Sequence, residues 1–460
     1  DWREELVLTI DPADARDFDD AIWLREHEQG WELAVHIADV AHYVKPGTAL
    51  DREARERGNS TYLVDRVLPM LPEALSNGIC SLVPGEDRLT CCVVIRFDGK
   101  GKMKQVRFEK AVIRSKFRLT YEEAQDMLEG KRDVDDPSRC GIASTLRECW
   151  KLAKLLRQRR FVQGALDLDF PEIRVELDES GRPAGYRRED YNESHQLIEE
   201  FMLAANEAVA RAVKNAGRPG IYRMHEEPDH DKLFEFAELA RAHGYEPGDL
   251  VNKKHIQSLL RECRGQPEEH AIKVGLLKSL KRASYREEPL GHYGLSKTDY
   301  CHFTSPIRRY ADLIMHRALE PLMESPPTHP SRAPAQVQCA EISDHISTTE
   351  RTSASAETES HRLKMLEWLH LSAHDANPPV FEAVITDVRR IGLMVETLEI
   401  LQRGLVKRDE FPPGDWHLES HRMRYATMQG AELTLGQVVA VRVARVNMER
   451  QLVDFLLVGE

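Results

Sequence analysis

The sequence predicts an α+β fold in which a mixed α/β body is followed by a small C-terminal β-barrel of the OB type. Two observations indicate this architecture. At 460 residues the chain exceeds one ordinary domain, and its 41% of hydrophobic residues can fill more than one core. The apolar period also changes along the chain: segments of period two and of period 3.6 both occur before residue 377, and period two dominates after it.

The elements of the body follow from these two periods. Apolar and polar residues alternate over Leu33–Val40 and Cys91–Phe97, which predicts two strands. Helical spacing predicts helices over residues 194–215 and 231–243, each ending before a glycine. Ser305-Pro306 predicts a further helix to about Met323, with serine as the N-cap and proline in the first turn, and a long polar helix follows over residues 335–374.

Asn377-Pro378-Pro379 predicts a boundary between two domains, residues 1–376 and residues 377–460. Beyond it, five segments alternate between apolar and polar residues: Phe381–Val388, Gly392–Thr397, Gly404–Val406, Val438–Val446 and Leu452–Val458. Five short strands in about 80 residues are typical of a small OB-type barrel.

Composition narrows the classes of function. The chain has 64 basic and 77 acidic residues, a formal charge of −13, which disfavours a general polyanion-binding surface but leaves room for a local basic channel. Its eight cysteines form no CxxC pair, so we expect reduced thiols and a cytoplasmic protein. No apolar run reaches about 18 residues, and no membrane span is predicted.

Thr9–Ile22 is the most informative segment. Within ten residues it carries five aspartates, Asp11, Asp14, Asp17, Asp19 and Asp20. A solvated acidic loop is one interpretation, but apolar residues on both sides place the run at the edge of a core, where a divalent cation would remove the repulsion between carboxylates. A calcium EF-hand is disfavoured because Ile22 stands where that loop needs glycine. The residues therefore favour catalysis on phosphate with Mg²⁺, or alternatively Mn²⁺.

His302–Arg309 (HFTSPIRR) predicts a complementary anion site. Arg308 and Arg309 fall in the first turn of the predicted helix, where cations face the positive end of the helix dipole unless an anion binds between them. The alternative is that one arginine pairs with a nearby aspartate and the other is solvated. A carboxylate cluster and an arginine-bearing helix start would together form a phosphodiester-cleaving site.

These segments resemble the motifs of the RNase II/RNase R family of 3′→5′ exoribonucleases, in which an RNB catalytic domain is followed by an S1 domain. The resemblance runs in order from the start of the chain to about residue 320. It rests on Thr9–Ile22, His36–Val44 (HIADVAHYV), Gly58–Leu63 (GNSTYL), Leu68–Leu82, Leu197–Asn206 (LIEEFMLAAN) and Gly291–Arg317, while the terminal barrel resembles the S1 domain.

The resemblance implies roles for individual residues. Four aspartates, Asp11, Asp17, Asp19 and Asp20, would hold the metal and position the scissile phosphate. Asp14 lies outside this set. Asp19 and Arg308 would be catalytic, and Arg308 and Arg309 would bind substrate phosphate.

Further residues are implied in the pocket for the RNA 3′ end. Tyr62 matches a tyrosine that stacks on a base, and Tyr121 and Glu199 match other pocket residues. The chain departs from the family at Leu168, where an aromatic residue is expected, unless Phe170 substitutes for it.

Two basic segments, Lys151–Arg160 and Lys273–Arg282, are interpreted either as solvated helix faces or as the lining of an RNA channel.

The predicted function is a processive, Mg²⁺-dependent hydrolytic 3′→5′ exoribonuclease. It would release 5′-nucleoside monophosphates from the 3′ ends of single-stranded RNA and act as a monomer. A catalytically silent RNA-binding protein of the same fold is one alternative, which the complete aspartate set and Arg308 disfavour. A single-stranded DNA exonuclease is the other, and cleavage of matched RNA and DNA strands distinguishes it.

Overall fold

The structure, a computed structural model, describes residues 1–131, 141–323, 332–419 and 423–458. Within these ranges the chain forms the expected mixed α/β body followed by a closed five-stranded barrel. Strands and helices are numbered here in chain order.

The strands of the body are β1 (Leu8–Asp11), β2 (Asp20–His27), β3 (Gly30–Ala38), β4 (Thr61–Tyr62), β5 (Val67–Leu68), β6 (Asp87–Asp98), β7 (Met103–Arg114), β8 (Phe117–Thr120), β9 (Glu172–Leu177), β10 (Pro183–Glu189), β11 (Tyr222–Met224) and β12 (Ser284–Arg286). The helices are α1 (Val40–Tyr43), α2 (Ala49–Arg57), α3 (Tyr121–Glu129), α4 (Ile142–Val162), α5 (Glu193–Asn215), α6 (His230–Ala242), α7 (Lys253–Glu262), α8 (Glu269–Ser279), α9 (Tyr310–Leu319) and α10 (Gln336–Ser372). Short irregular helical segments cover Ala74–Ile79 and Glu320–Leu322.

The body is built on a six-stranded sheet with the order β7-β6-β3-β2-β1-β8. Neighbouring strands are antiparallel except for β1 and β8, which run parallel with Asp11 opposite Thr120. Because β1 and β8 end together, Tyr121, the first residue of α3, lies next to the carboxyl end of β1.

Helices cover both faces of this sheet. Leu33, Val35 and Ile37 of β3 belong to a core shared with α3, α4 and α5, whereas Ala34 and Ala38 face a core shared with α9 and α10. Because successive side chains of a strand point to opposite faces, a strand that helices cover on both sides buries nearly all its side chains. β3 is therefore buried on both faces, and its His36 is fully buried too.

The prediction of a helix that starts at Ser305 is wrong at its first residues, because α9 begins only at Tyr310. Arg309 is extended, with φ −136° and ψ 125°, and it forms an isolated antiparallel bridge with Asn59. Two backbone hydrogen bonds flank this bridge: Ser60 N–H donates to Arg308 O (3.0 Å), and Tyr310 N–H donates to Gly58 O (2.9 Å). Pairing with a distant segment thus replaces the first helical turn.

The barrel confirms the five predicted strands. They are β13 (Val380–Arg389), β14 (Gly392–Thr397), β15 (Arg403–Lys407), β19 (Val438–Asn447) and β20 (Leu452–Leu457), joined in the order β13-β14-β15-β20-β19. A three-stranded sheet of β16 (His417–Glu419), β17 (Arg424–Ala426) and β18 (Glu432–Thr434) was not predicted, because strands of three residues carry no readable period.

The long helix α10 joins the body to the barrel. Its N-terminal half contributes Ile342 and Ile346 to the core beneath the sheet, and its C-terminal half contributes Leu366 and Leu369 to the core of the barrel. The division into domains at residue 377 stays a prediction.

The seven described cysteines are buried and free. Within the same ranges, every helix is too short or too polar to cross a lipid bilayer.

Candidate active site

The loop between β1 and β2, which carries the aspartates, is held from both sides. Arg118 of β8 donates from Nη2 to the carbonyl oxygens of Pro12 (2.7 Å) and Ala13 (2.8 Å). On the other side, Ser81 Oγ donates to Arg16 O (2.7 Å) and accepts from Phe18 N–H (3.0 Å). These contacts fix the backbone on which the carboxylates depend.

The four predicted metal ligands lie at the two ends of this loop. Asp11 closes β1 and Asp20 opens β2, which are neighbouring strands. Asp19 is buried, and its Oδ1 accepts a hydrogen bond from Ile307 N–H (2.9 Å). Asp17 Oδ2 accepts one from the Tyr62 hydroxyl (3.3 Å). Asp14, which the resemblance left outside the set, is exposed.

Burial disfavours the ionised form of these carboxylates. It raises the pKa of Asp20 to about 6 and the pKa values of Asp11 and Asp19 well above their usual range. Repulsion from Asp20 and Asp17 raises the pKa of Asp11 further, whereas Arg308 lowers the pKa of all three. The Oδ2 atoms of Asp11 and Asp19 are buried without a hydrogen-bond partner. Buried carboxylate oxygens that accept no hydrogen bond are the donors that a hard divalent cation needs.

The carboxylate oxygens fit a hard divalent cation, but they do not form a closed cage for it. In the described part of the chain, no group of three or more His, Cys, Asp and Glu side chains is close enough to hold an ion by itself. Mg²⁺ keeps several waters and is usually bound by one or two carboxylates together with substrate phosphate.

Arg308 and Arg309, the two arginines of the turn Ser305–Arg309 (SPIRR), have different side-chain partners. Arg308 Nε lies 3.9 Å from Asp19 Oδ2, and 45% of the Arg308 side chain is exposed. Arg309 instead donates from Nε (2.9 Å) and Nη2 (2.8 Å) to Asp312, whose carboxylate is fully buried. The structure therefore brings Arg308 to the aspartates and places the Arg309 guanidinium on Asp312.

The backbone N–H groups of this turn are not available to phosphate, contrary to the expectation of a helix start that binds an anion. Ser305 N–H donates to Asp312 Oδ1 (2.7 Å), and Ile307 N–H donates to Asp19. The turn anchors two carboxylates and leaves the Arg308 side chain to face the cleft.

Tyr62 lines the same cleft as Arg308. It belongs to the β4–β5 hairpin, and its side chain is near enough to Asp17 for the hydroxyl to form a hydrogen bond. Burial of this hydroxyl raises the pKa of Tyr62, and the nearby Asp17 raises it further. Both residues line a cleft of about 270 Å³ together with Glu350 and Glu357 of α10.

Tyr121 also adjoins the carboxylates, whereas Glu199 does not. The Tyr121 ring stacks on His195 at 3.9 Å, and burial together with Asp20 and Asp11 raises its pKa. Glu199 pairs with Arg157 (3.3 Å) and Arg160 (3.2 Å) and accepts a hydrogen bond from the Tyr191 hydroxyl (2.5 Å). Tyr191 in turn lies 5.7 Å from His195, so Glu199 is connected to Tyr121 through two rings.

Three cations of the two basic segments are paired with acids, so these three are not free to line a channel, whereas the channel lining stays a prediction for the remaining cations. Arg157 pairs with Asp169 (2.7 Å), and Arg160, 4% exposed, pairs with Glu200 (2.5 Å). Lys273 pairs with Glu269 (2.7 Å).

Neither residue considered for the second aromatic position stands beside Tyr62 in the contacts observed. Leu168 packs against the apolar cluster of α6, α7 and α8. Phe170 contacts His270 edge to face at 5.6 Å.

The site also contains residues that the sequence did not single out. Ser81 lay within a matched motif but carries no chemical signature of its own. His195 and Arg118 are remote in sequence from the residues they support, so only the folded chain shows their position.

A model described as the RNB domain matches residues 1–325, and the chain therefore belongs to the RNB domain family. This confirms the resemblance drawn from the motifs. The chain is 38% identical to Ribonuclease R of Thermotoga maritima over 470 residues, which covers all of this chain and 65% of that protein. It spans 56% to 64% of the length of three further Ribonuclease R relatives.

Solved structures show the same likeness. The apo form of Mycoplasma genitalium RNase R matches with a TM-score of 0.87 at 28% identity, covering 99% of this chain and 71% of that one. The same enzyme in complex with ribose-methylated single-stranded RNA matches with a TM-score of 0.86 over the same coverage.

Replacing Asp20 by asparagine should stabilise the metal-free protein at alkaline pH. The folded-state pKa of about 6 lies above the usual value near 3.9, so the ionised carboxylate destabilises the fold by roughly 2 to 3 kcal/mol at pH 8. This cost disappears as the pH falls through 6 towards 4. The melting temperature in the presence of a chelator should therefore rise in Asp20→Asn at pH 8 and match the parent near pH 4.

Asp14→Asn is the matched control, because Asp14 is exposed in the same loop, and it should leave the melting temperature unchanged. A lower melting temperature of Asp20→Asn at pH 8 would contradict the argument.

Proposed function

We propose that this chain acts as a processive, Mg²⁺-dependent hydrolytic 3′→5′ exoribonuclease that releases 5′-nucleoside monophosphates from single-stranded RNA and works as a monomer. The observation that supports the proposal most directly is that Tyr62 contacts Asp17 and Arg308 contacts Asp19, so that both side chains adjoin the aspartate loop in a chain of the RNB domain family. The relatives named Ribonuclease R, and the RNase R structures in complex with RNA, support RNA as the substrate.

The carboxylates would hold the metal and accept a proton. Asp11, Asp17, Asp19 and Asp20 would bind Mg²⁺ only together with the substrate phosphate, because no three of them form a metal-holding group by themselves. When bound, the ion would supply activation of water and stabilisation of charge at the leaving 3′ oxygen. Asp19 Oδ1 is oriented by Ile307 N–H, and its Oδ2 has no hydrogen-bond partner and can accept a proton from attacking water.

Arg308 would bind the scissile phosphate. Its guanidinium is partly exposed and lies beside Asp19, so it can donate charge-assisted hydrogen bonds to phosphate oxygens next to the proton acceptor. Charge that develops on the phosphate during cleavage would be stabilised by this fixed cation.

Tyr62 would stack on a base near the 3′ end. Its hydroxyl is tied to Asp17, so the ring that grips the base has a defined position relative to the carboxylates.

The proposal is tested by product analysis on a 5′-labelled RNA with a 3′ overhang, next to a DNA strand of the same sequence. We expect Mg²⁺-dependent release of mononucleotides and a descending ladder on RNA. Binding without any product would support the silent RNA-binding alternative. Faster shortening of the DNA strand would support the DNA exonuclease.

Asp19→Asn should reduce hydrolysis about 10²–10⁴-fold, because the amide cannot accept a proton. Binding of a long RNA should persist, since asparagine preserves the shape and removes one repulsive charge. Single-turnover cleavage and filter binding measure the two effects. Turnover near the parent rate in Mg²⁺ would exclude the proposed role of Asp19.

Arg308→Ala should mainly lower the cleavage rate, and Arg309→Ala should mainly lower the stability of the protein. Loss of Arg308 should slow cleavage about 10²–10³-fold, because a partly exposed donor to the transition state is removed, and it should lower the melting temperature less than loss of Arg309 does. Loss of Arg309 should destabilise the protein by about 3–5 kcal/mol, because Asp312 is left buried and unpaired. Cleavage rates and thermal unfolding of both variants, measured in parallel, separate catalysis from stability. Equal losses of cleavage and of long-RNA binding in Arg308→Ala would make it an affinity residue.

Tyr62→Ala should lengthen the end products, because one stacked base contributes about 1–3 kcal/mol and a short RNA has few other contacts. Tyr62→Phe is the matched variant, since it keeps the ring and loses only the hydrogen bond to Asp17. Denaturing gels of the final products on poly(A) compare the two. An unchanged ladder in Tyr62→Ala would mean that another residue grips the 3′ end.

A further inference from the structure

The segment that carries Tyr62, Gly58–Val64, lies along one face of α10. Thr61 Oγ1 and Ser353 Oγ are 2.8 Å apart and share a hydrogen bond. Tyr62 N–H donates to Glu357 Oε1 (2.7 Å), and Val64 N–H donates to Ser360 Oγ (3.0 Å). The three helical partners are spaced four and three residues apart, which places them on the same face of the helix. One face of α10 therefore forms hydrogen bonds with three residues of the Tyr62 segment.

The start of the segment is held at the same face. Gly58 has φ +72°, and a Cβ added there would lie 2.1 Å from Thr349 Oγ1, one turn before Ser353. The opposite edge of the segment is paired with the backbone of Arg308. The segment is thus enclosed between the turn that carries Arg308 and the helix.

Of the three hydrogen bonds between α10 and this segment, the one to Glu357 is formed by the backbone of Tyr62 itself. A carboxylate that accepts from a backbone N–H forms a stronger hydrogen bond than a neutral acceptor does. The bond fixes the backbone at the residue whose ring would stack on RNA, whereas Ser353 and Ser360 hold its neighbours. Glu357 also lines the cleft shared by Tyr62 and Arg308.

The same helix continues into the barrel. Arg362 donates from Nη2 to Gln451 O (2.9 Å) in the turn between β19 and β20, and Leu366 is buried in the barrel core. Val64, at the end of the Tyr62 segment, packs against that core as well. The helix is therefore a physical connection between the barrel and the tyrosine.

We propose that Glu357 is a positioning residue for Tyr62, and that its hydrogen bond to the Tyr62 backbone determines the RNA length at which degradation stops. The inference rests on the proposed function for its substrate, RNA, and adds a residue that acts through Tyr62.

The test compares Glu357→Ala, Glu357→Gln and a control, Glu341→Ala, which changes an exposed glutamate on the same helix. Each is assayed for final product length and for the initial rate on a long RNA. Binding of a short RNA is measured in the Asp19→Asn background, so that it does not depend on hydrolysis. Absence of hydrolysis in the parent would overturn the proposed function, and the binding arm would still decide the role of Glu357.

Glu357→Ala should lengthen the end products and weaken short-RNA binding about fivefold or more, with the rate on long RNA within about twofold of the parent. Glu357→Gln should restore the parent ladder, because its amide oxygen still accepts from Tyr62 N–H. The control should behave as the parent.

Two results would overturn the proposal. Unchanged short-RNA binding in Glu357→Ala would show that Tyr62 does not depend on this contact. Equal shifts in the Ala and Gln variants would show that the charge acts on RNA directly. Ser360→Ala, which removes the neighbouring anchor, should shift the ladder in the same direction by less, and it decides the matter if Glu357→Ala has a lower melting temperature than the control.

Discussion

Ionised carboxylates packed at the junction of β1 and β2 repel one another, and burial removes the water that would weaken this repulsion. The rest of the site offsets this cost. Ile307 N–H takes one oxygen of Asp19, Arg308 lies beside the other, and Arg118 fixes the loop backbone and lowers the pKa of Asp11. These partners are remote in sequence from the aspartates, so the aspartates hold their positions only in the folded body.

The same constraint explains why the SPIRR turn is not a helix. If α9 began at Ser305, its first N–H groups would be free for a phosphate. Instead Arg309 is extended and pairs with Asn59, and the turn presents its N–H groups to Asp19 and Asp312. This pairing brings the Arg308 side chain and the Tyr62 segment to the same cleft, so one irregular backbone feature positions the residues that we propose to bind phosphate and base.

Charge pairing also separates residues that look alike in sequence. Arg308 and Arg309 are neighbours, yet one is partly exposed beside Asp19 and the other forms a bidentate pair with a fully buried carboxylate. Two cations of α4 differ in the same way from what the sequence suggests, since Arg157 and Arg160 pair with acids that follow later in the chain. A run without acids is therefore not a basic surface when acids from other segments fold against it.

The sequence by itself determined the fold class, the five barrel strands and the family, because these depend on local periodicity and on motifs whose residues are close in the chain. The convergence of the aspartates was expected from the same motifs. Only the tertiary structure decided where α9 begins, that Glu199 pairs with arginines two rings away from Tyr121, and that α10 holds the Tyr62 backbone through Glu357. These features depend on hydrogen bonds and ion pairs between residues up to 295 positions apart, and no local pattern records such contacts.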